Sequence, residues 1–212
     1  MPKDTFLNLP RSKREAVLSQ AFVEFATHDY SSASLSRIVR EAGIAKGSMY
    51  QYFENKRDLY FYLIDSALKM RLDYIAAESS GGDAGFFQRV KSVILASARF
   101  DFDHPEISGL ITHARSEPPG AELENIADVL IDRSVEFLEG FVRCGLERGE
   151  IRGDVDTIVH ILDQVSISFS FFLQRNVPGG VPPGGRVIEE RAQQLIGLLE
   201  NGLSKKPNSS YT

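Results

Sequence analysis

Residues 34–63 decide the fold, and they read SLSRIVREAGIAKGSMYQYFENKRDLYFYL. Ser34 is a suitable N-cap for a short helix, because the apolar residues that follow it recur at helical spacing. Gly43 predicts the end of that helix, since glycine takes a positive φ without strain. A second short helix is predicted to begin at Lys46. Two short helices joined by a tight turn that contains glycine indicate a helix-turn-helix unit.

The second helix of this unit carries side chains that can donate hydrogen bonds to phosphate oxygens or to base edges. Gly47 allows close approach of the backbone, and Lys56, in the first turn of the next helix, is predicted to bind phosphate. The alternative is a surface helix whose tyrosines only pack, and the pattern alone does not decide between the two. The predicted exposed side chains are Lys46, Ser48, Tyr50, Gln51 and Tyr52.

The stretch also resembles the DNA-binding signature of the TetR family of bacterial one-component regulators. The resemblance covers roughly residues 10–65, and beyond them it rests only on length and helical pattern. It departs from the family at Ala45, where Ser or Thr is common, so the second helix lacks a good side-chain cap. The matching positions are Arg14, Ala21, Phe22, Phe25, Ser34, Ile38, Ala42, Gly43, Gly47, Tyr50, Phe53, Lys56, Asp58 and Leu59.

The resemblance and the helical periodicity together predict an all-α protein of about nine helices. Residues 1–55 are expected to form a three-helix DNA-binding domain, with residues 1–9 as a loose arm. Residues 56–203 are expected to form a helical domain for ligand binding and dimerisation, followed by a disordered tail at 204–212. The predicted DNA-binding residues are Ser34, Ser36, Arg37, Lys46, Gly47, Ser48, Tyr50, Gln51, Tyr52 and Lys56.

The helical domain is expected to hold a pocket for an unknown small molecule of apolar or aromatic character. Its helices eight (155–175) and nine (186–203) are implied by the resemblance to pair with their copies in a two-fold dimer. Helix eight is apolar on most sides, and Phe169 is predicted to lie on that dimer face. The candidate pocket residues are Met70, Tyr74, Phe100, Phe102, His104, Ile107, Phe137, Phe141 and Phe169, and the alternative for the phenylalanines is that they only form the core.

Composition is ordinary for a globular protein of 212 residues, with a net charge of −5 and a single cysteine. Residues 1–60 hold nine Lys or Arg against seven Asp or Glu, so DNA would meet only this end of the chain. The single cysteine, and the lack of a signal peptide or an apolar run of membrane-spanning length, favour a cytoplasmic location without membrane contact.

The predicted function is a ligand-responsive regulator, most simply a repressor that a small molecule releases from a palindromic operator. One alternative is an architectural DNA-binding protein that needs no ligand. A second alternative is a helical enzyme that uses Asp101, His104 and His113, with or without a metal. The spacing of these three residues matches no metal-binding or nucleophile motif, so we expect no enzyme activity, no metal and no cofactor.

Overall fold

A computed structural model describes residues 1–45, 47–79, 84–118, 123, 126–175 and 185–203, without the side chains of 127–133, 171, 174, 175 and 203. The described residues form helices and no strands, which confirms the all-α prediction. There are ten helices in this part of the chain: α1 Asp4–Leu7, α2 Arg11–Thr27, α3 Leu35–Glu41, α4 Ser48–Tyr52, α5 Lys56–Glu78, α6 Phe86–Asp103, α7 Pro105–Ser116, α8 Ile126–Glu147, α9 Val155–Arg175 and α10 Gly185–Leu203.

The described part of the chain has one helix more than the nine that the sequence predicts. The additional helix is α1, in a segment that is expected to be a loose arm. That expectation is wrong because Phe6 of α1 is fully buried. The predicted helices eight and nine are therefore α9 and α10. Among the described residues, no helix is both long enough and apolar enough to cross a membrane.

Helix ends follow the local signals in the sequence. Ser34 accepts a hydrogen bond from the Arg37 amide at 3.4 Å and caps α3, and Gly43 follows that helix with φ 65°. Asn55 accepts from the Asp58 amide at 2.9 Å at the start of α5. Asp154 accepts from the Thr157 amide at 2.9 Å and caps α9. The predicted cap at Ser34 and the predicted helix end at Gly43 are confirmed.

The chain divides into two compact units, and the first comprises residues 1–70 and 104–131. In this unit α2 packs against α3 and α7, and α4 packs against α1 and α3. A Cβ on Gly109 of α7 would lie 3.0 Å from the Ala26 Cβ, so a small residue allows α7 to approach α2 closely. The largest buried side chains of the unit include Phe6, Phe25, Met49, Phe53 and Tyr60.

The second unit comprises residues 71–103 and those from 132 onward. Here α6 packs against α9 and α10 around one apolar core. Phe86 is 1% exposed, and its ring lies 5.2 Å from that of Phe141. Helix α5 contributes residues to both units. The predicted domain boundary at residue 55 falls inside the first unit and stays a prediction.

Candidate DNA-binding surface

Helix α4 divides its side chains between the core and the surface. Met49 and Phe53 are each 1% exposed, so they anchor the helix in the first unit. Tyr50 is 60% exposed, and Gln51 is exposed beside it. The side chains able to reach a DNA groove from α4 are therefore those of Tyr50 and Gln51, with the half-buried Ser48 at the helix start. Gly47 is exposed next to Ser48.

Tyr52 does not take the exposed position that the sequence predicts. It is 7% exposed, and its ring lies 5.7 Å from that of Phe6. Residues 49, 52 and 53 are three and four positions apart, so they share the face that turns to the core. The prediction that Tyr52 is an exposed reader is wrong for this reason. Lys46 lies outside the described residues, and its predicted role stays a prediction.

Arg37 of α3 is engaged within the protein. Its Nε lies 2.9 and 3.0 Å from the two carboxylate oxygens of Glu24, and its second guanidinium nitrogen donates to the Ser32 carbonyl at 2.9 Å. Glu24 is 7% exposed and also accepts from the Ser34 amide at 2.6 Å. Arg37 therefore joins α3 to α2, whereas Ser36 on the same helix is exposed.

The ion pair sets the charge state of Glu24. Burial alone raises the pKa of this carboxyl, because it penalises the charged form. Hydrogen bonds from Arg37 and from the Ser34 amide outweigh burial, so the pKa of Glu24 is lowered below its ordinary value. Glu24 is thus a carboxylate at neutral pH and holds the start of α3.

Glu24 is a residue whose role we did not infer from the sequence, although a signal was present. It falls on the apolar stripe of α2, three positions after Ala21 and seven after Val17, both of which are fully buried. A charged residue on a buried stripe needs a partner. The chain offers many cations, however, and spacing alone does not select Arg37.

Lys56 also makes its described contacts inside the protein. Its ammonium donates to the carbonyls of Tyr30, Ser31 and Ala33 at 2.6, 3.2 and 3.2 Å, and it lies 4.5 Å from the centre of the Tyr30 ring. A lysine has three N–H donors, so a DNA phosphate would compete with these carbonyls. The geometry favours a role for Lys56 of α5 in positioning the loop between α2 and α3 (residues 28–34), and the predicted phosphate contact is untested.

The salt dependence of DNA binding separates these two roles of Lys56. We expect Lys56→Met to weaken binding to all sequences, because the α2–α3 loop loses its tie to α5, while the slope of log affinity against log salt stays unchanged. Loss of a phosphate contact would instead reduce that slope by about one ion per subunit. Fluorescence anisotropy over a salt series measures the slope. Arg57→Met, at the exposed neighbouring position, is the matched control.

The predicted pocket residues fall in both units. Of those in the first unit, Met70 is 44% exposed, Ile107 is buried and His104 precedes α7. In the second unit the Tyr74 ring lies 5.5 Å from that of Phe100, and its hydroxyl donates to Asp103 at 3.4 Å. The others in the second unit belong to or pack against its cores: Phe102, Phe137, Phe141 and Phe169.

Asp101, a residue of the enzyme hypothesis, is 8% exposed and lies 3.4 Å from Nε of Arg71. Asp103 ends α6 and does not cap α7, whose N-cap residue is His104 and makes no side-chain cap hydrogen bond. Of the three residues of the enzyme hypothesis, Asp101 is thus paired with Arg71. His104 is the N-cap residue of α7, and His113 lies in the last turn of that helix.

Helices α9 and α10 carry an apolar surface that faces outward. Phe172, Val187 and Leu198 are 45, 50 and 74% exposed. Phe172 and Leu198 border an open groove of about 400 Å³ between the two helices. Phe169 also borders it, but its side chain is 7% exposed and belongs to the core of the unit.

Comparisons with known proteins show which family and which proteins the chain is similar to. Residues 17–63 match the family model described as bacterial regulatory proteins, tetR family. The fatty acid metabolism regulator protein of Bacillus subtilis is 22% identical over 149 residues, which are 69% of this chain and 74% of that protein.

Solved structures share the fold over nearly the whole chain. A TetR family transcriptional regulator from Chloroflexus aurantiacus is 25% identical, with a TM-score of 0.75 over 97% of this chain and all of that one. FadR from Bacillus subtilis, in complex with stearoyl-CoA, is 18% identical, with a TM-score of 0.73 over 89% of this chain and 98% of that one. Residues 17–63 thus match the helix-turn-helix of the tetR family, and the chain shares the fold of TetR family transcriptional regulators of known structure.

Proposed function

We propose that the protein is a dimeric repressor that binds a palindromic operator through α4 and leaves it when an apolar small molecule binds. The observation that carries the proposal is the geometry of α4 within the matched helix-turn-helix. Buried Met49 and Phe53 fix the helix, and Tyr50 and Gln51 project from it. This arrangement supports groove reading and suggests no reaction, so we propose a regulator and not an enzyme.

The outward apolar surface of α9 and α10 supports the dimer. Large exposed apolar side chains on neighbouring helices favour association, because their burial removes apolar area from water. A second copy would present the same surface, as two-fold symmetry requires. Two recognition helices would then read two half-sites about one turn of DNA apart.

The class of ligand that we propose is a fatty acyl-CoA. The second unit supplies many aromatic and aliphatic side chains, which suit an acyl chain. A relative is named a fatty acid metabolism regulator, and a protein of the same fold was solved with stearoyl-CoA. The acyl chain also agrees with the apolar ligand predicted from the sequence.

Selection of duplexes from a random DNA pool by the purified protein tests the proposal. A palindromic consensus is expected, and stearoyl-CoA at micromolar concentration should release the selected duplex, whereas CoA or stearate alone should not. Release by none of a series of acyl-CoA thioesters would reject this ligand class. A pool without enrichment would reject the DNA-binding proposal itself.

Tyr74 is the residue of α5 through which we expect the ligand signal to pass. Tyr74→Ala should reduce the release of DNA by stearoyl-CoA and leave ligand-free affinity for DNA nearly unchanged. A ligand releases DNA only as far as it binds the DNA-free conformation more tightly than the DNA-bound one, and we expect Tyr74 to contribute to that difference. Anisotropy titrations with and without the acyl-CoA measure both quantities. Leu72→Ala, also half-buried on α5, is the control, and an equal response in both variants would exclude Tyr74.

A further inference from the structure

Helix α4 is too short to be stable by itself. It has five residues, and its N-cap is Gly47, which supplies no side-chain hydrogen bond. The last carbonyls of a helix have no partner within the helix, and isolated helices of this length do not persist in water. The stability of α4 must therefore come from its surroundings.

The three last carbonyls of α4 all accept hydrogen bonds from the N-terminal segment. The Lys3 ammonium donates to the Tyr50 carbonyl at 2.9 Å, and the Lys3 amide donates to the Tyr52 carbonyl at 2.8 Å. The Thr5 hydroxyl donates to the Gln51 carbonyl. The cation also lies at the negative end of the helix dipole, which favours it there.

Phe6 holds this segment in place. It is fully buried, and its ring lies 4.8 Å from that of Phe53 and 5.9 Å from that of Tyr62. A side chain of α1 thus anchors both Thr5 on the same helix and Lys3, which immediately precedes that helix. This anchoring reduces the conformational entropy that the cap loses when it forms.

We propose that residues 3–6 are a C-terminal cap of the recognition helix and thereby set its affinity for DNA. The inference rests on the proposed DNA reading by α4. The capped carbonyls include those of Tyr50 and Gln51, the residues whose side chains project from the helix. A looser helix end would have to be ordered at the moment of binding, and that entropy loss would lower affinity.

The test uses the full-length protein with the Thr5→Val substitution, which keeps the shape of the side chain and removes the donor. Affinity for the duplex selected by the wild-type protein should fall roughly fivefold, the loss typical of one hydrogen bond, with an unchanged salt slope. Hydrogen exchange at the Phe53 amide, which donates to the Met49 carbonyl at 2.8 Å, should become faster.

Two further variants separate the cap from a general loss of stability. Thr5→Ser keeps the hydroxyl and should restore both affinity and exchange. Thr112→Val removes a matching bond, from the Thr112 hydroxyl to the Ser108 carbonyl at 2.9 Å on α7, and should change neither.

Wild-type affinity in Thr5→Val, with or without faster exchange at Phe53, would overturn the inference. Failure of Thr5→Ser to restore binding would overturn it as well. A wild-type protein that selects no duplex would overturn the proposed DNA binding and this inference with it.

Discussion

Replacing Leu198 with glutamate should convert the proposed dimer into a monomer and weaken operator binding by about 100-fold, because the two recognition helices would no longer be held together. Leu198 is 74% exposed on α10, so the charge does not disturb the core of its own unit. In a dimer that buries this surface, however, the glutamate would lose its hydration without gaining a partner. Phe172→Glu, at the corresponding exposed position of α9, should act in the same way.

Sedimentation at micromolar concentration measures the change of mass. Gln193→Glu is the matched control, since it adds the same charge to an exposed position of α10 that does not border the groove. Phe169, which the sequence places on the dimer face, is a poor choice, because a charge in the core would unfold the unit. A monomeric wild-type protein, or a Leu198→Glu variant that remains dimeric, would refute the proposed interface.

Helix positions were predictable from the sequence where a local signal marks them. The predicted bounds of α9 and the predicted place of Lys56 in the first turn of α5 agree with the structure, because Asp154 and Asn55 cap these first turns. Helix α1 was not predictable, since four residues show no periodicity and its order comes from contacts with α4. Local chemistry specifies helix ends, whereas a short helix is specified by its tertiary contacts.

The candidate site was predictable in position but less so in its individual roles. The helix-turn-helix signature predicted the position of α4. Tyr52, however, is buried in the core, and Lys56 and Arg37 make hydrogen bonds to other residues of the protein. A basic side chain near a predicted DNA surface has two sets of acceptors, phosphates and nearby carbonyls or carboxylates. Sequence spacing does not distinguish them, because the α2–α3 loop takes shape only in the folded unit.

Glu24→Gln should lower the melting temperature by about 5 °C and weaken binding to every DNA sequence alike. The substitution removes the charge that pairs with Arg37 and holds the Ser34 amide, so the start of α3 loses its attachment to α2. Scanning calorimetry and anisotropy measure the two effects. Glu15→Gln is the matched control, since this exposed glutamate of α2 pairs only with exposed Arg11 in the described contacts.

The difference in melting temperature between wild type and Glu24→Gln should depend on pH. Because the pKa of Glu24 is lower in the folded protein than its ordinary value of 4.5, the carboxylate stabilises the fold above that pH. This contribution is lost as the pH falls through the folded pKa, where the carboxyl becomes neutral in the wild type too. The two melting temperatures should therefore differ at pH 7 and converge in acid. A difference that persists in acid would show that Glu24 acts through packing and not through its charge.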